Sequence, residues 1–356
     1  MRRTLKWVSI CASPGARRGS GADSRIRSDG MKTLCTLACA LALVLGGCTK
    51  STDTSSSSST TTTTGASAAP DAAASGGPKS IGVSIQNREA QFYQDMERGM
   101  RDEAAKYGYT VTVVDAARDN AKQQSQVEDF ISQKVAAIVL TPYDSQAIGS
   151  AIVEANKAKI PVFTADIASA SKDGTVVAHI ASDNVQGGAQ AGKLMCAALP
   201  GHTGQIAIID EPEVTSVQDR VKGFKQALAT GCPGVTVVSD IDGGGERAKA
   251  SSSMEDILQS HKDLRGVFGI NDDSALGAAK AVQAAGLGAK IVVIGYDAAP
   301  EARTAIAAGQ MYGDAIQHPD QIGSRTIDAI HDYFSGKTPA AKISVPVGTF
   351  TKADAK

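Results

Sequence analysis

Gly266 to Asp297, GVFGINDDSALGAAKAVQAAGLGAKIVVIGYD, reads as one complete strand, helix, strand unit, and the reading of this stretch decides the fold. GVFGI has the apolar run of a buried strand, NDDSALGAAKAVQAAG is a small-residue helix with its caps, and IVVIGYD is a second strand that ends on a carboxylate. The same grammar appears earlier in AAIVLTPYDSQAIGSAIVEANKAKIPVFTAD, Ala136 to Asp166. In each copy an Asp-Ser pair opens the helix, Asp144-Ser145 and Asp273-Ser274, and the closing Asp follows 22 and 24 residues later. The duplication predicts two similar α/β halves that offer matched carboxylates, Asp166 and Asp297, from strand ends. Open parallel sheets hold their ligands at those ends.

Working outward, Lys79 begins a regular alternation. SIGVSI is a strand, FYQDMERGMRDEAAKYG an amphipathic helix with Phe92, Met96, Met100 and Ala104 on one face and Gly108 as its stop, and TVTVVD the next strand. A helix around Val127 to Ile131 leads to the first copy. After Asp166 come a strand TVVAHI and a helix SDNVQGGAQAGKLMCAAL capped by Ser182 or Asp183. A second round then runs QIAIID, VTSVQDRVKGFKQALA, VTVVSDI and AKASSSMEDILQSH into the second copy. A helix over Glu301 to Ala308, a strand YGDAIQ, a helix QIGSRTIDAIHDYF and an extended SVPVGTF close the chain. Two rounds of alternation predict two parallel sheets with right-handed crossovers, an α/β architecture of two Rossmann-like lobes with a cleft between them.

Composition agrees. The chain has 356 residues, enough for two domains, with 42% hydrophobic and only 4% aromatic residues, as suits Ala- and Val-rich layers. The first 48 residues hold eight Lys/Arg against two Asp/Glu, so the remainder carries 28 basic and 35 acidic residues, a net charge of −7. An acidic globular part argues against nucleic acid as a partner.

The front of the chain reads as an export device. Residues 1–30 are basic, Gly/Ser-rich and without periodicity. Met31 opens MKTLCTLACALALVLGGC, a lysine and a short apolar run ending in small residues and a cysteine. This stretch resembles a bacterial lipoprotein signal, with Leu45-Gly46-Gly47-Cys48 as the lipobox and Cys48 as the lipidated residue. The alternatives are a plain transmembrane anchor or a plain secretory signal. A corollary is that translation starts at Met31. Residues 49–78, rich in Ser, Thr, Ala and Gly, lack the apolar bulk to offset the entropy of ordering and read as a flexible tether. At about 5 to 6 Å × √n, some thirty such residues reach roughly 30 Å, which places the globular part just off a membrane.

With the leader, the two Asp-ending copies and the strings HIASDNVQGGAQAG, GVFGINDDSALGA and HPDQIG on view, the chain from Ile81 to Phe350 resembles a type I periplasmic solute-binding protein of the ribose- and galactose-binding group that feeds sugar ABC importers. The resemblance implies a three-crossing hinge near Ser182, Gln317 and Pro346. It divides the chain into an N-terminal lobe, 79–182 plus 318–345, and a C-terminal lobe, 183–317 plus 346–356. It further implies a ligand site of Phe92 and Tyr93 in the first strand-helix loop, Asp166, Arg220 in R-V-K-G-F, Asn271, Asp297 and Gln317. Carboxylates accept from sugar hydroxyls, Arg and amides donate, and aromatic faces cover C–H patches. The ribose pattern departs at four places: it has an arginine where Ile167 stands, a small hydroxyl at Gln86, an Asn at Ala90 and an aromatic at Gly245. Gln86, Arg88 and Ile167 therefore join the candidates, with Arg88, Glu89, Glu246 and Arg247 available to fill the vacated space, and the identity of the sugar or polyol stays open.

Each strand-end Asp could instead be only a helix N-cap, Phe92 core, Arg220 a solvated helix residue, Asn271 a cap and Gln317 a hinge hydrogen bond. Of six cysteines, Cys11, Cys35 and Cys39 precede the expected cut and Cys48 takes lipid. Cys196 and Cys232 fall near the C-terminal ends of the first two helices of the second lobe. Export to an oxidising compartment favours pairing them. No G-x-G-x-x-G turn follows the first strand, no Walker lysine, H-E-x-x-H or nucleophile elbow occurs, and His179, His202, His261, His318 and His331 lack metal spacing. The expectation is a non-enzymatic, monomeric, exported receptor without metal or cofactor, anchored at Cys48 in the cell envelope, which captures a small carbohydrate or polyol and presents it to ABC permease subunits. Alternatives are a sensor partner of a membrane kinase or chemoreceptor and, in a different class, an exported enzyme acting on a small carbohydrate.

Overall fold

The computed structural model describes Lys79–Ala355; the expected leader, start at Met31, lipid site at Cys48 and tether over 49–78 lie outside the described residues. Strand β1 (Ser80–Ile85) is buried along almost its whole length, the signature of a strand covered on both faces. It feeds α1 (Gln91–Lys106), whose Phe92, Met96, Met100 and Ala104 face the core, and Gly108 with φ 69° ends the helix. β2 (Thr110–Asp115), α2 (Asn120–Ser132), β3 (Ala137–Leu140), α3 (Gly149–Lys157), β4 (Val162–Ala165) and β5 (His179–Ser182) complete the first round. Asp119 caps α2 by accepting from Lys122 N at 2.9 Å.

The second round contains α4 (Asn184–Ala198), β6 (Thr203–Asp210), α5 (Thr215–Gly231), β7 (Gly234–Asp242), α6 (Arg247–Ser260), β8 (Leu264–Gly269), α7 (Asp272–Ala284), β9 (Val292–Asp297), α8 (Pro300–Ala307) and β10 (Gly313–Ile316). The chain then returns through α9 (Pro319–Phe334) and β11 (Lys342–Val345) to end in β12 (Gly348–Thr351). Two six-stranded sheets result, ordered β11-β5-β4-β3-β1-β2 and β12-β10-β9-β8-β6-β7. Every pairing is parallel except that of β10 with β12. The chain passes between the sheets after Ser182, after Ile316 and across Pro346-Val347.

The small residues of GGAQAG have a packing role. Helices α4 and α5 cross so closely that a Cβ at Gly188 would strike the Arg220 carbonyl, and one at Gly223 the Val185 carbonyl. That crossing seats Arg220 at the inner end of α5. Below it, Phe224 and Phe268 stack with ring centroids 4.3 Å apart in the core, each contributing about 1.5–3 kcal/mol by its burial.

Three local readings differ from what the chain does. The apolar run TVVAHI predicts a strand over 175–180, but the ladder runs His179–Ser182, so the strand carries its end to the crossing. SVPVGTF is not one segment: Pro346, with no N–H to give to a ladder, separates β11 from β12, which belong to different sheets. The Asp-Ser pairs also do not play matching parts. In the second copy Asn271 caps α7, accepting from Ser274 N at 2.8 Å, and Asp273 turns outward to Arg247. In the first, α3 begins only at Gly149; Asp144 accepts from Gln146 N and Ala147 N, and Ser145 reaches the opposite lobe.

Candidate functional site

The carboxyl ends of the two sheets face each other, and both matched aspartates sit there in backbone conformations that side chains rarely adopt. Asp166, just past β4, has φ 65°; Asp297, closing β9, has φ 116° and is followed by Ala298 at 58°. Such positions cost of order 1–3 kcal/mol each and persist where the surroundings over-determine them. The Asp166 N–H donates to the Ile180 carbonyl at 2.8 Å, and the Asp297 carbonyl accepts from Gln317 N at 3.1 Å.

Asp166 is 2% exposed; its Oδ2 lies 3.4 Å from Tyr93 Oη and its Oδ1 3.9 Å from Arg220 Nη2, with no hydrogen bond to Oδ1. Burial pushes its carboxyl up to about 7, against the pull of Arg220 and Tyr93 and with the help of Asp297. Asp297 accepts from Gln317 Nε2 at 2.7 Å and from Asp272 N at 3.4 Å. Burial raises it to about 6, opposed by Arg220 and Gln317. Arg220 is spent mostly on its own lobe: Nε donates to Asn184 Oδ1 at 2.9 Å, Nη1 to the Ile270 carbonyl at 3.0 Å, and the guanidinium lies 4.2 Å over the Tyr296 ring. Behind Asp297, Asp272 and the fully buried Asp314 meet carboxyl to carboxyl, and burial raises both.

The structure brings the seven principal candidates, Phe92, Tyr93, Asp166, Arg220, Asn271, Asp297 and Gln317, to one small cavity, with Gln86 and Ile167 beside them. Phe92 and Tyr93 meet edge to face at 5.2 Å, so both are core and cavity wall at once. Asn271 is a cap, and its Nδ2 also donates to the Gly245 carbonyl at 3.1 Å. Arg88 is not part of the cavity: it donates to the Val113 carbonyl and pairs with Glu97. Arg247 is held outside by Asp273 and Glu301.

The space is filled instead by Arg118 and Glu211, together with Ser216, Val214 and Val217, which the sequence reading passed over. Glu211 directly follows β6, so the strand-end rule applied to every strand would have found it. Its Oε1 accepts from Gln86 Nε2 at 2.9 Å and lies 3.6 Å from Arg118 Nη1; burial pushes the carboxyl up to about 7 against those partners. Arg118 crosses the cleft to donate to the Gly244 carbonyl at 2.8 Å. On another rim Thr215 N donates to Ser145 Oγ at 3.0 Å, Ser145 N to the Glu213 carbonyl at 3.1 Å, and Ala168 N to Thr215 Oγ1 at 3.2 Å. The cavity between the lobes measures about 30 Å³. Clefts of about 750 and 650 Å³ open at the other end of the second sheet, around Leu264, Ile291 and Tyr312, away from these carboxylates.

Cys196, in the last turn of α4, is disulfide-bonded to Cys232, which closes α5, with Cα atoms 5.7 Å apart. Among the described residues no helix is long and apolar enough to cross a membrane, and no group of three or more His, Cys, Asp or Glu is arranged to hold a metal ion.

Two facing parallel sheets, three crossings and convergent polar groups between them define a two-lobed binding protein. The comparisons agree: residues 81–338 match the periplasmic binding protein domain family, and the chain belongs to it. The ribose import binding protein of Bacillus subtilis is 35% identical over 277 residues, 77% of this chain and 88% of that protein. The Caulobacter myo-inositol binding protein, solved with myo-inositol, superposes with a TM-score of 0.72 at 32% identity, over 79% of this chain and 95% of the other. An ABC transporter solute-binding protein from Agrobacterium vitis, solved with α-D-tagatopyranose, gives 0.74 at 28% identity, over 78% and 95%.

Proposed function

We propose that the chain is an exported, lipid-anchored receptor that encloses a small carbohydrate or polyol between its lobes and delivers it unchanged, as a monomer, to the permease of an ABC importer. The observation that carries this reading is the cavity itself. Three carboxylates, two guanidiniums and four side-chain amides (Gln86, Asn87, Asn271 and Gln317) converge there beside an aromatic pair, and Asp166 Oδ1 and Gln317 Oε1 have no hydrogen-bond partner. Buried polar atoms left unpaired cost about 1–3 kcal/mol each, so this wall suits a ligand dense in hydroxyls. The sugar- and polyol-bound relatives support the same class.

Capture works by hinge closure. A cavity of about 30 Å³ is far below the roughly 300 Å³ of a small-molecule pocket, so a ligand enters only when the lobes part. The crossings after Ser182, after Ile316 and at Pro346-Val347 are the hinge, dividing 79–182 plus 318–345 from 183–317 plus 346–356. A ligand that touches both lobes binds the closed form better and shifts the population toward it.

A thermal-shift screen of the mature chain against pentoses, hexoses, polyols, inositols and amino acids tests the reading. The sole tryptophan, Trp7, lies in the leader, so an external dye reports unfolding. A ligand at 1,000 times its Kd adds about 4.1 kcal/mol, a rise of several degrees. Silence across sugars and polyols with a response to amino acids defeats the proposed class.

A further inference from the structure

We propose that Glu211 is a ligand-contacting carboxylate and the residue that sets specificity: aimed by Gln86 and Arg118 and admitted by Gly245, it requires a hydroxyl donor on the ligand edge facing β6, which favours a hexose or cyclitol over a pentose. The inference deepens the reading of the cavity as a polyol site and rests on it.

Four observations carry it. Glu211 is 4% exposed and lines the cavity with Asp166 and Asp297, so carboxylates converge there from the ends of β4, β6 and β9. Its hydrogen bond from Gln86 and its approach to Arg118 both fall on Oε1, which fixes the side chain and leaves Oε2 for a further donor. Arg118 is not free to neutralise it closely, because its two Nη atoms donate to the Gly244 and Gly245 carbonyls at 2.8 and 3.4 Å. Gly245 has φ 63°, and a Cβ there would collide with Glu211 Oε2 and lie 3.1 Å from Asn271 Nδ2. The absent side chain is thus what lets the carboxylate stand in the wall.

A buried acceptor that meets no donor is costly, so a site built around one rejects a ligand lacking the matching hydroxyl far more strongly than an apolar wall rejects one that is merely too small. Acceptors on three sides, with Gln317 Oε1 as another, suit a ring that carries hydroxyls all round its rim. A pentose has one hydroxyl-bearing carbon fewer than a hexose to meet them.

The test titrates the mature chain with myo-inositol, D-galactose, D-ribose and D-xylose and repeats the titrations on Glu211→Gln, Glu211→Ala, Gly245→Ala and Asp297→Ala. The expected result is binding of a six-carbon probe at least about tenfold tighter than either pentose, with a loss of about 100-fold in Glu211→Ala and a smaller one in Glu211→Gln. Gly245→Ala should weaken the same probe without touching Asp166 or Asp297. Should Glu211→Ala unfold, Glu211→Gln, which keeps the volume and a contact to Gln86, decides alone. An unchanged Kd in the Glu211 variants while Asp297→Ala abolishes binding overturns this inference and leaves the polyol reading standing, as does a pentose that binds best. No binding of any of the four probes to the unsubstituted chain overturns this inference, and the polyol reading is then decided by the wider thermal-shift screen.

Discussion

Asp166 and Asp297 stand at equivalent strand ends with equally unusual backbones, yet their surroundings differ, and the difference separates the work of the two lobes. Asp297 is held from within its own lobe and the adjoining crossing, by Gln317 Nε2 and the Asp272 N–H. Asp166 has one long contact to Tyr93 and otherwise looks across the cleft to Arg220. The second lobe is also the one braced by the Cys196-Cys232 bond. On the hinge proposed above, parting of the lobes would leave the C-terminal half-site built and take the N-terminal carboxylate away from its cation. A ligand should meet the C-terminal lobe first.

The largest expected effect breaks that half-site. Asp297→Ala should weaken binding of a sugar or polyol by about 2–5 kcal/mol, roughly 30-fold to several thousandfold, as for truncating one side of a buried hydrogen-bonded charged contact. Asp166→Asn should cost less, because the amide still offers an acceptor and the acid was not closely paired. Calorimetric titration of both variants with one ligand checks the order, and equal losses would erase the asymmetry. Next comes the brace. Opening the 36-residue span between Cys196 and Cys232 by a double change to Ala should destabilise the chain by about 2–4 kcal/mol, with the C-terminal lobe losing amide-exchange protection first. Uniform loss across both lobes would show that they unfold as one.

Titration sharpens the comparison further. Asp166 and Glu211 are raised to about 7 and Asp297 to about 6 by burial, with Arg220, Arg118, Tyr93, Gln86 and Gln317 facing them. A carboxyl whose folded value is raised contributes stability that is fully present below its ordinary value near 4 and is lost as pH rises through the folded one. The melting temperature without ligand should therefore fall by several degrees between about pH 5 and pH 8, and Asp166→Asn should remove part of that slope. A melting temperature that rises over this window would contradict the burial of these acids.

How much of this could be read from residues alone follows the same division. The alternation of strands and helices, the two Asp-ending copies and most element bounds were legible because buried parallel strands and small-residue helices leave strong local patterns, as in IVVIGYD and NVQGGAQAG. Asp166 and Asp297 could be placed at the cleft because strand ends fix where side chains begin, whereas Tyr93 and Arg220 come only with the family resemblance and its motifs. Arg118 and Glu211 could not, since what brings them together is the closing of one sheet on another, and Arg118 sits in a loop residue of positive φ, 58°, that no periodicity announces. The same cause hides the part of Ser145: its match to Ser274 is local, while its use is decided by the first residue of α5, seventy residues later.

Ser145 gives the smallest and most selective prediction. Its Oγ accepts from Thr215 N at 3.0 Å, and its backbone N–H, which a substitution keeps, donates to the Glu213 carbonyl. Ser145→Ala removes the bond from Thr215 N and the weak 3.4 Å donation from Ser145 Oγ to Thr215 Oγ1, a loss of about 0.5–1.5 kcal/mol between lobes, and touches neither the cavity nor either core. Because the bond joins the two sides of the proposed hinge, its loss should lower the closed fraction and weaken ligand binding by about two- to tenfold. Denaturant stability of each lobe should stay within about 0.5 kcal/mol. Small-angle scattering without ligand should show a slightly larger radius of gyration, with full compaction restored at saturating ligand. If binding is unchanged while lobe stability drops, Ser145 belongs to the fold of the N-terminal lobe and the clasp between lobes rests on Arg118 and Thr215 instead.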